Sequence, residues 1–420
     1  MWKKIKKAAF EGILLKKGIH FIFVVFPVLL VQKIDWLFGC VVRYVYGGLH
    51  TVDKKQIMFI PFQGDFTCNP KYIAEELIRR NKKYNIVFSA RKASLNRPSL
   101  YPEGVRLVEQ YSADYYREIM KSKIIVANSV EFLKKPTPKK DSQIIIETWH
   151  GSLGIKKFGA KDNHGKTFVR AGQRCGKRAD YILSNSDFED DVYRDTFWKT
   201  TPILQYGHPR NDVLFSHDEE LVQSIREKVI GSREDYEEIC HNRFVLYAPT
   251  FRDNHSVASY NLNFDRLREA LSERFGGEWS VLVRLHPTVR KKAGKYIKNR
   301  NGIDVTNYPD IQELMLISDI AITDYSSWIY DFVLTRRPGF LFATDIYTYA
   351  DERGFYYPLS STPFPIADNN DDMMENILNF NMEKYKEEVE EFLEGKGCME
   401  DGQASKRAVD KIIELMGEAE

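Results

Sequence analysis

Two histidines sit where an imidazole could do chemistry. His150 lies in Thr148-Trp149-His150-Gly151-Ser152-Leu153-Gly154, directly after an apolar run. Imidazole is the side chain best suited to take a proton near neutral pH, and a glycine behind it lets the backbone turn while the ring projects into a cleft. The glycines at 151, 154 and 159 with the pair Lys156-Lys157 read as a ligand loop; the competing reading is a structural histidine beside Trp149. His286 ends a second apolar run, WSVLVRLHP, and Arg284 stands two residues before it. A third polar cluster, Thr323-Asp324-Tyr325-Ser326-Ser327, follows the run DIAIT. Guanidinium, imidazole and hydroxyl groups are the donors that hold phosphate and stabilise charge at a phosphoryl centre. A helix starting at Ser326 would add its amide-rich end. The plainer alternative is that Asp324 or Ser326 only caps that helix.

These residues need elements to carry them. Residues 319–323 read as a buried strand and 326–337 as a helix that Pro338 stops; 340–343 (FLFA) read as the next strand. In an open α/β sheet such a strand-to-helix turn lies at the carboxyl end, where ligands bind. Earlier in the chain, strands are expected at 57–62, 85–89, 105–108, 124–127, 144–148, 181–184 and 203–206. Helical patterns lie between them, such as 70–80 with Asn69 as N-cap and Pro70 in the first helical position. Short apolar β-runs alternating with helices predict a parallel sheet covered on both faces. A second series opens at 244–248 (FVLYA) and leads into Pro249-Thr250-Phe251-Arg252-Asp253. It continues through a helix with Phe264, Leu267, Ala270, Leu271 and Phe275 on one face to a strand at 279–285. Two α/β domains in series predict one cleft, with His150 from one side and Arg252, His286, Ser326 and Ser327 from the other. The expected division is 1–50, 51–210, a polar hinge at 211–242, 243–400, and a C-terminal helix at 401–420.

The net charge of +2 on 420 residues gives no argument for nucleic acid as a partner. The five cysteines are odd in number and lack CxxC spacing, which fits a reducing compartment and points away from a zinc site, so no metal centre is expected. Charge is uneven at the amino terminus, where residues 1–17 hold six lysines against Glu11 and precede the apolar run 21–31 (FIFVVFPVLLV). That run is far short of the roughly 20 residues a spanning helix needs. A segment lying in the plane of an anionic membrane surface is the expectation, against a helix packed on the domains or a dimer contact.

The chain resembles the CDP-glycerol glycerophosphotransferase family, which comprises bacterial teichoic-acid and capsule polymerases and primases. The resemblance rests on TWHGSLGIKKFG, GHPRND, YAPTFRD, VRLHP and ITDYSSWIYDF…RRP…YADERGFYY in that order, with FIPFQGDFTCNPKYIAEEL before them. Departures are Ser152-Leu153, where Thr-Pro is common, and His208, where another residue often sits. The resemblance implies a GT-B-like fold of two Rossmann-like domains facing across a cleft, peripheral at the cytoplasmic face of the bacterial plasma membrane. It implies transfer of a polyol phosphate from CDP-glycerol (or CDP-ribitol) to a hydroxyl of a lipid-linked acceptor, releasing CMP. By that pattern His150 is the base and His286 a second essential histidine at the donor phosphates. Arg252, Arg284, Ser326 and Ser327 hold the pyrophosphate, Thr323 and Asp324 belong to the donor pocket, and Trp149, Gly151 and Lys156 belong to the acceptor loop. Mg²⁺ travelling with the nucleotide is compatible but not implied, and so is a homo-oligomer. A sugar-nucleotide glycosyltransferase of the same fold and a non-catalytic, membrane-docked nucleotide binder are the alternatives.

Overall fold

The computed structural model describes residues 26–80, 84–129, 139–154, 156–158, 166–250, 260–286, 297–346 and 354–417. The first sheet comprises β1 (Asp53–Ile60), β2 (Asn85–Ala90), β3 (Arg106–Glu109), β4 (Ser122–Ala127), β5 (Ile144–Glu147), β6 (Tyr181–Ser184) and β7 (Ile203–Gln205). The second comprises β8 (Arg243–Tyr247), β9 (Trp279–Val283), β10 (Ile303–Asp304), β11 (Ile320–Thr323), β12 (Gly339–Phe342) and β13 (Ile366–Ala367). Their orders are β3-β2-β1-β4-β5-β6-β7 and β10-β9-β8-β11-β12-β13, with every described pairing between these strands parallel. The fold class is therefore α/β with two parallel sheets. Central strands buried along their whole length, such as β9 and β11, explain the unbroken apolar runs in the sequence.

Each sheet reverses its strand order once, between β1 and β4 in the first and between β8 and β11 in the second. At such a point the loops leave the sheet in opposite directions and a crevice opens beyond the strand ends. The candidate site residues sit at and beside these two points.

Three local expectations need correction. Asn69 is not a cap: the helix Cys68–Arg79 begins one residue before it, with Thr67 at the N-cap. Cys68 holds a left-handed φ of +59°, which turns the chain so that Asn69 points across the first domain. The helix expected from Ser326 is a four-residue helix, Ile329–Phe332, continued by a 3-10 turn at Val333–Thr335. Ser326 and Ser327 thus lie in the turn before it, and so short a helix adds little dipole. The polar stretch 211–242 carries the helix Glu219–Ile230, whose Ile225 and Ile230 enter the second sheet's core, because both faces of a parallel sheet need helices to cover them.

The chain ends on the domain where it began. The helix Ala404–Leu415 places Val409, Ile412 and Ile413 in the same core as Ile73 and Leu77, beneath the first sheet. The lysine-rich residues 1–17 and the run to residue 25 lie outside the described residues. The helix Phe26–Leu49 follows, with Pro27 in its first turn, where a missing N–H is harmless. It packs on the helix Ala113–Lys121 through Val42 and the Phe38–Tyr116 ring contact (5.2 Å). Its other side leaves Ile34, Leu37, Val41, Tyr44 and Leu49 exposed. No helix among the described residues is long and apolar enough to cross a membrane.

Because Ile412 is only 1% exposed, Ile412→Ala is expected to destabilise the first domain by about 2–5 kcal/mol. Urea denaturation followed by circular dichroism checks this.

Candidate active site

The loop after β5 is built to present His150. Trp149 takes a left-handed φ of +47°, strained for a non-glycine residue, and tucks its indole into the core with 9% exposure. Its amide is anchored by Glu147 Oε1 at 2.9 Å. That carboxyl is fully enclosed, and burial pushes its pKa up to about 8 despite the backbone hydrogen bonds from Trp149 and Thr148. Gly151 must be glycine, since a Cβ would lie 2.7 Å from Trp149 Nε1. The exposed His150 ring results, lying flat on Phe62 with centroids 5.1 Å apart and planes 7° from parallel. Its Nδ1 is 2.7 Å from the Asn128 carbonyl. A carbonyl can only accept, so Nδ1 carries the proton and, in the neutral ring, Nε2 carries the lone pair. Asn128 directly follows β4, and its side chain also accepts from the Phe62 amide at 2.6 Å. Residues following β1, β4 and β5 therefore converge at the first sheet's reversal point.

The facing wall comes from the second sheet. His150, Gly151, Arg284 and Ser327 line a cavity of about 240 Å³. Phe62, Arg284, His286 and Ser326 line one of about 410 Å³. Thr67, Arg284, Pro309, Ile311 and Trp328 line both, so the two are one crevice. Arg284 donates to the Tyr308 carbonyl, and no carboxylate among the described residues lies within 4.0 Å of its guanidinium. Burial pulls its pKa down, with Asp310 opposing. Desolvation likewise lowers the pKa of His286, favouring the neutral ring.

The remaining expected residues are placed as follows. Thr323 Oγ1 donates to the Ala248 carbonyl at 2.8 Å, and Asp324 Oδ1 accepts from the amides of Thr250 (2.8 Å) and Tyr325 (2.5 Å). Both are buried and close the second sheet's reversal point rather than lining the crevice. Lys156 Nζ reaches Thr250 Oγ1 at 3.2 Å and so bridges the two domains. Arg252 lies outside the described residues.

Arg210 and Asp331, which join the walls, carried no role in the sequence reading. Arg210, of GHPRND, is 3% exposed and pairs with Asp331 of the opposite domain at 3.0 Å. Its Nη2 also donates to the Gly151 carbonyl at 2.5 Å. Asn69 donates to the Thr148 and Trp149 carbonyls (2.8 and 3.2 Å) and accepts from the Arg210 amide (3.1 Å). Leu153 is inserted into the second domain's core. Gly154 permits this, because a Cβ there would sit 2.9 Å from Ser327 Cβ. The available signal was Asp331, a lone acid in the otherwise apolar run WIYDFVL.

With the geometry established, likeness to known proteins can be weighed. The sequence profile of CDP-Glycerol:Poly(glycerophosphate) glycerophosphotransferase matches residues 43–414. The chain belongs to that family. Its members are transferases, and one relative is the teichoic acid poly(glycerol phosphate) polymerase of Bacillus spizizenii, 28% identical over 386 residues, covering 87% of this chain and 94% of the relative. Another is the polymerase of the same name from Staphylococcus epidermidis, 29% identical over 383 residues and 86% of this chain; the match spans only 51% of that protein. A solved structure of a variant of the wall teichoic acid polymerase TagF, soaked with CDPG, superposes with a TM-score of 0.76 at 28% identity, covering 93% of this chain and 98% of that one. The family resemblance read from the ordered motifs is thereby established.

Glu147 generates a pH prediction. Its folded pKa near 8 lies above the ordinary carboxyl value, so its favourable contribution is complete below about pH 4.5 and is lost as pH rises toward 8. Glu147→Gln keeps the Trp149 contact without the titration. It is expected to leave the melting temperature unchanged at pH 4.5 and to raise it by several degrees at pH 8.5, measured by scanning calorimetry.

Proposed function

We propose that this protein transfers glycerol phosphate from CDP-glycerol to a hydroxyl of a membrane lipid-linked acceptor, releasing CMP, in teichoic acid or capsular polymer synthesis. The observation that carries the reading is Arg284. A guanidinium recessed in the crevice between two domains, with no carboxylate in ion-pair reach among the described residues, is a ready partner for a diphosphate. It stands beside His286 and across from an imidazole whose tautomer is already set.

In this reading the acceptor hydroxyl attacks the phosphorus that bears the glycerol. Nε2 of His150 takes the hydroxyl proton as the new O–P bond forms. The bond from that phosphorus to the bridging oxygen breaks, and CMP leaves with the electron pair. Arg284, His286, Ser326 and Ser327, with Arg252, hold the phosphates and meet the charge that gathers on them. Diphosphate binding would also draw a proton onto His286, turning a neutral ring into a cationic donor. Thr323 and Asp324 shape the donor pocket by tying the β8 and β11 loops together, while Trp149, Gly151 and Lys156 form the acceptor-side loop. A divalent ion accompanying the nucleotide is compatible with this scheme and has no step of its own in it.

The acceptor's confinement to a membrane gives a role to the helix Phe26–Leu49. Ile34, Leu37, Val41, Tyr44, Val45 and Leu49 recur at helical spacing and are exposed. Such a stripe, preceded by the lysines of residues 1–17, suits an in-plane, peripheral attachment to the anionic cytoplasmic face.

Purified protein is incubated with a lipid-linked acceptor and CDP-glycerol, CDP-ribitol or UDP-sugars, and nucleotide release and product mass are followed. CMP release with addition of glycerol phosphate is expected; release of UDP alone would sink the proposal. His150→Ala is expected to lower kcat at least about 100-fold while CDP affinity stays within a factor of about two of the parent protein's. For the membrane reading, Leu37→Glu with Val41→Glu is expected to reduce co-sedimentation with phosphatidylglycerol vesicles about tenfold or more; undiminished binding would contradict it.

A further inference from the structure

We propose that Lys71 is a positioning residue for the anion site: by engaging Asp310 and Glu313 across the domain boundary, it keeps their charge off Arg284 and leaves that guanidinium for the diphosphate. The inference rests on the donor-site reading above. Lys71 belongs to the helix Cys68–Arg79 of the first domain, whereas Asp310 and Glu313 lie at the start of the helix Ile311–Leu316 of the second. Its Nζ is 2.6 Å from Asp310 Oδ2 and 2.5 Å from Glu313 Oε1, and the side chain is only 8% exposed. Burial alone would favour the uncharged amine, but the surrounding carboxylates outweigh it and raise the Lys71 pKa.

The remaining oxygens of the two acids are committed as well. Tyr72 donates to Asp310 Oδ2 at 3.0 Å, the Gln312 amide donates to Asp310 Oδ1 at 3.0 Å, and the Tyr308 hydroxyl donates to Glu313 Oε2. Asp310 nevertheless lines the same cavity as Arg284 and acts on its charge from beyond ion-pair distance. Tyr308 connects the two groups, since its carbonyl receives Arg284 while its hydroxyl binds Glu313.

Asp310, Glu313, Lys71 and Arg284 therefore share one seam with a third carboxyl, Glu75, whose pKa burial raises to about 7 while Lys71 opposes the shift. With Lys71 in place the acids are satisfied by the first domain, and the arginine keeps its charge for a ligand. Without Lys71, Asp310 is the nearest partner for Arg284, and a diphosphate meets both a neutralised guanidinium and uncompensated acids. Because the ammonium comes from the opposite domain, the donor site reaches its full positive potential only when the two domains meet. Donor binding and domain contact are then thermodynamically coupled.

The test is calorimetric titration of the full chain with CDP. Lys71→Met is expected to weaken CDP binding by about tenfold or more, and Lys71→Arg to restore it to within about threefold. Lys71→Met combined with Asp310→Asn is expected to recover most of the loss, the coupling that follows when both residues act through one charge network. Undiminished CDP affinity in Lys71→Met, or a double variant no better than the single, overturns the proposal. If Lys71→Met does not fold, Asp310→Asn alone decides. Affinity equal to or tighter than the parent protein's supports the inference, and a tenfold loss overturns it. Arg284→Ala separates the two readings: retained CDP affinity removes the donor-site assignment itself. A loss there beside a silent Lys71→Met removes only the role of Lys71.

Discussion

The arrangement of the crevice depends on one buried ion pair. Arg210 and Asp331 come from different domains, are 3% and 4% exposed, and meet at 3.0 Å. Charges removed from water persist only when their lone pairs and protons are satisfied, and leaving one such partner alone costs about 3–5 kcal/mol. Arg210 meets that condition through Asp331, the Gly151 carbonyl and the Cys68 thiol; Asn211 adds a further donor to Asp331 at 3.3 Å. Burial alone would lower the Arg210 pKa, and Asp331 together with Cys68 and Glu189 more than offsets it. The carbonyl behind His150 and the helix behind Ser327 are thus held by one guanidinium, which fixes the two walls relative to each other.

Around this pair the boundary between the domains is polar. Lys71 with Asp310, Lys156 with Thr250, and Asn211 with Glu400 all bridge it or brace it. Glu400 is partly buried, and its desolvation raises its pKa to about 7 while His208, Asn211 and Asn185 oppose the shift. The Leu153 side chain is an apolar exception, a peg from one domain seated in the core of the other, while its carbonyl accepts from the Tyr357 hydroxyl. Directional contacts of this kind set geometry more than they add net stability. That suits a site whose two halves must face each other in one orientation and still leave a crevice.

On the first wall the geometry works by prior commitment. The Asn128 carbonyl decides which imidazole nitrogen of His150 is protonated, and Phe62 limits where the ring can lie. Beneath them Glu147 holds the strained turn at Trp149. On the second wall, desolvation lowers the pKa of His286, and Arg284 beside it stands without a carboxylate in ion-pair reach among the described residues.

The amino-acid sequence by itself determined the strands, the fold class and the positions of the strand-end groups. Apolar runs of four to six residues have one stable use in a parallel sheet, so β6 falls where the pattern places it and β9 and β11 begin within one residue of it. Ordered motifs at the strand ends likewise carried the family. Tertiary structure decided what periodicity does not encode. Asn69 reads locally as a cap, yet its amide crosses to the Thr148 carbonyl, because Cys68 turns the chain first. Asp324 reads as part of a polar strand-end turn, and only the fold shows that its Oδ1 ties that turn to the Thr250 amide. Arg210 and Asp331 are 121 positions apart, and Lys71 and Asp310 are 239 apart. Pairings at that separation follow from how two sheets dock, a free-energy balance of desolvation against charge that exists only once both surfaces are present.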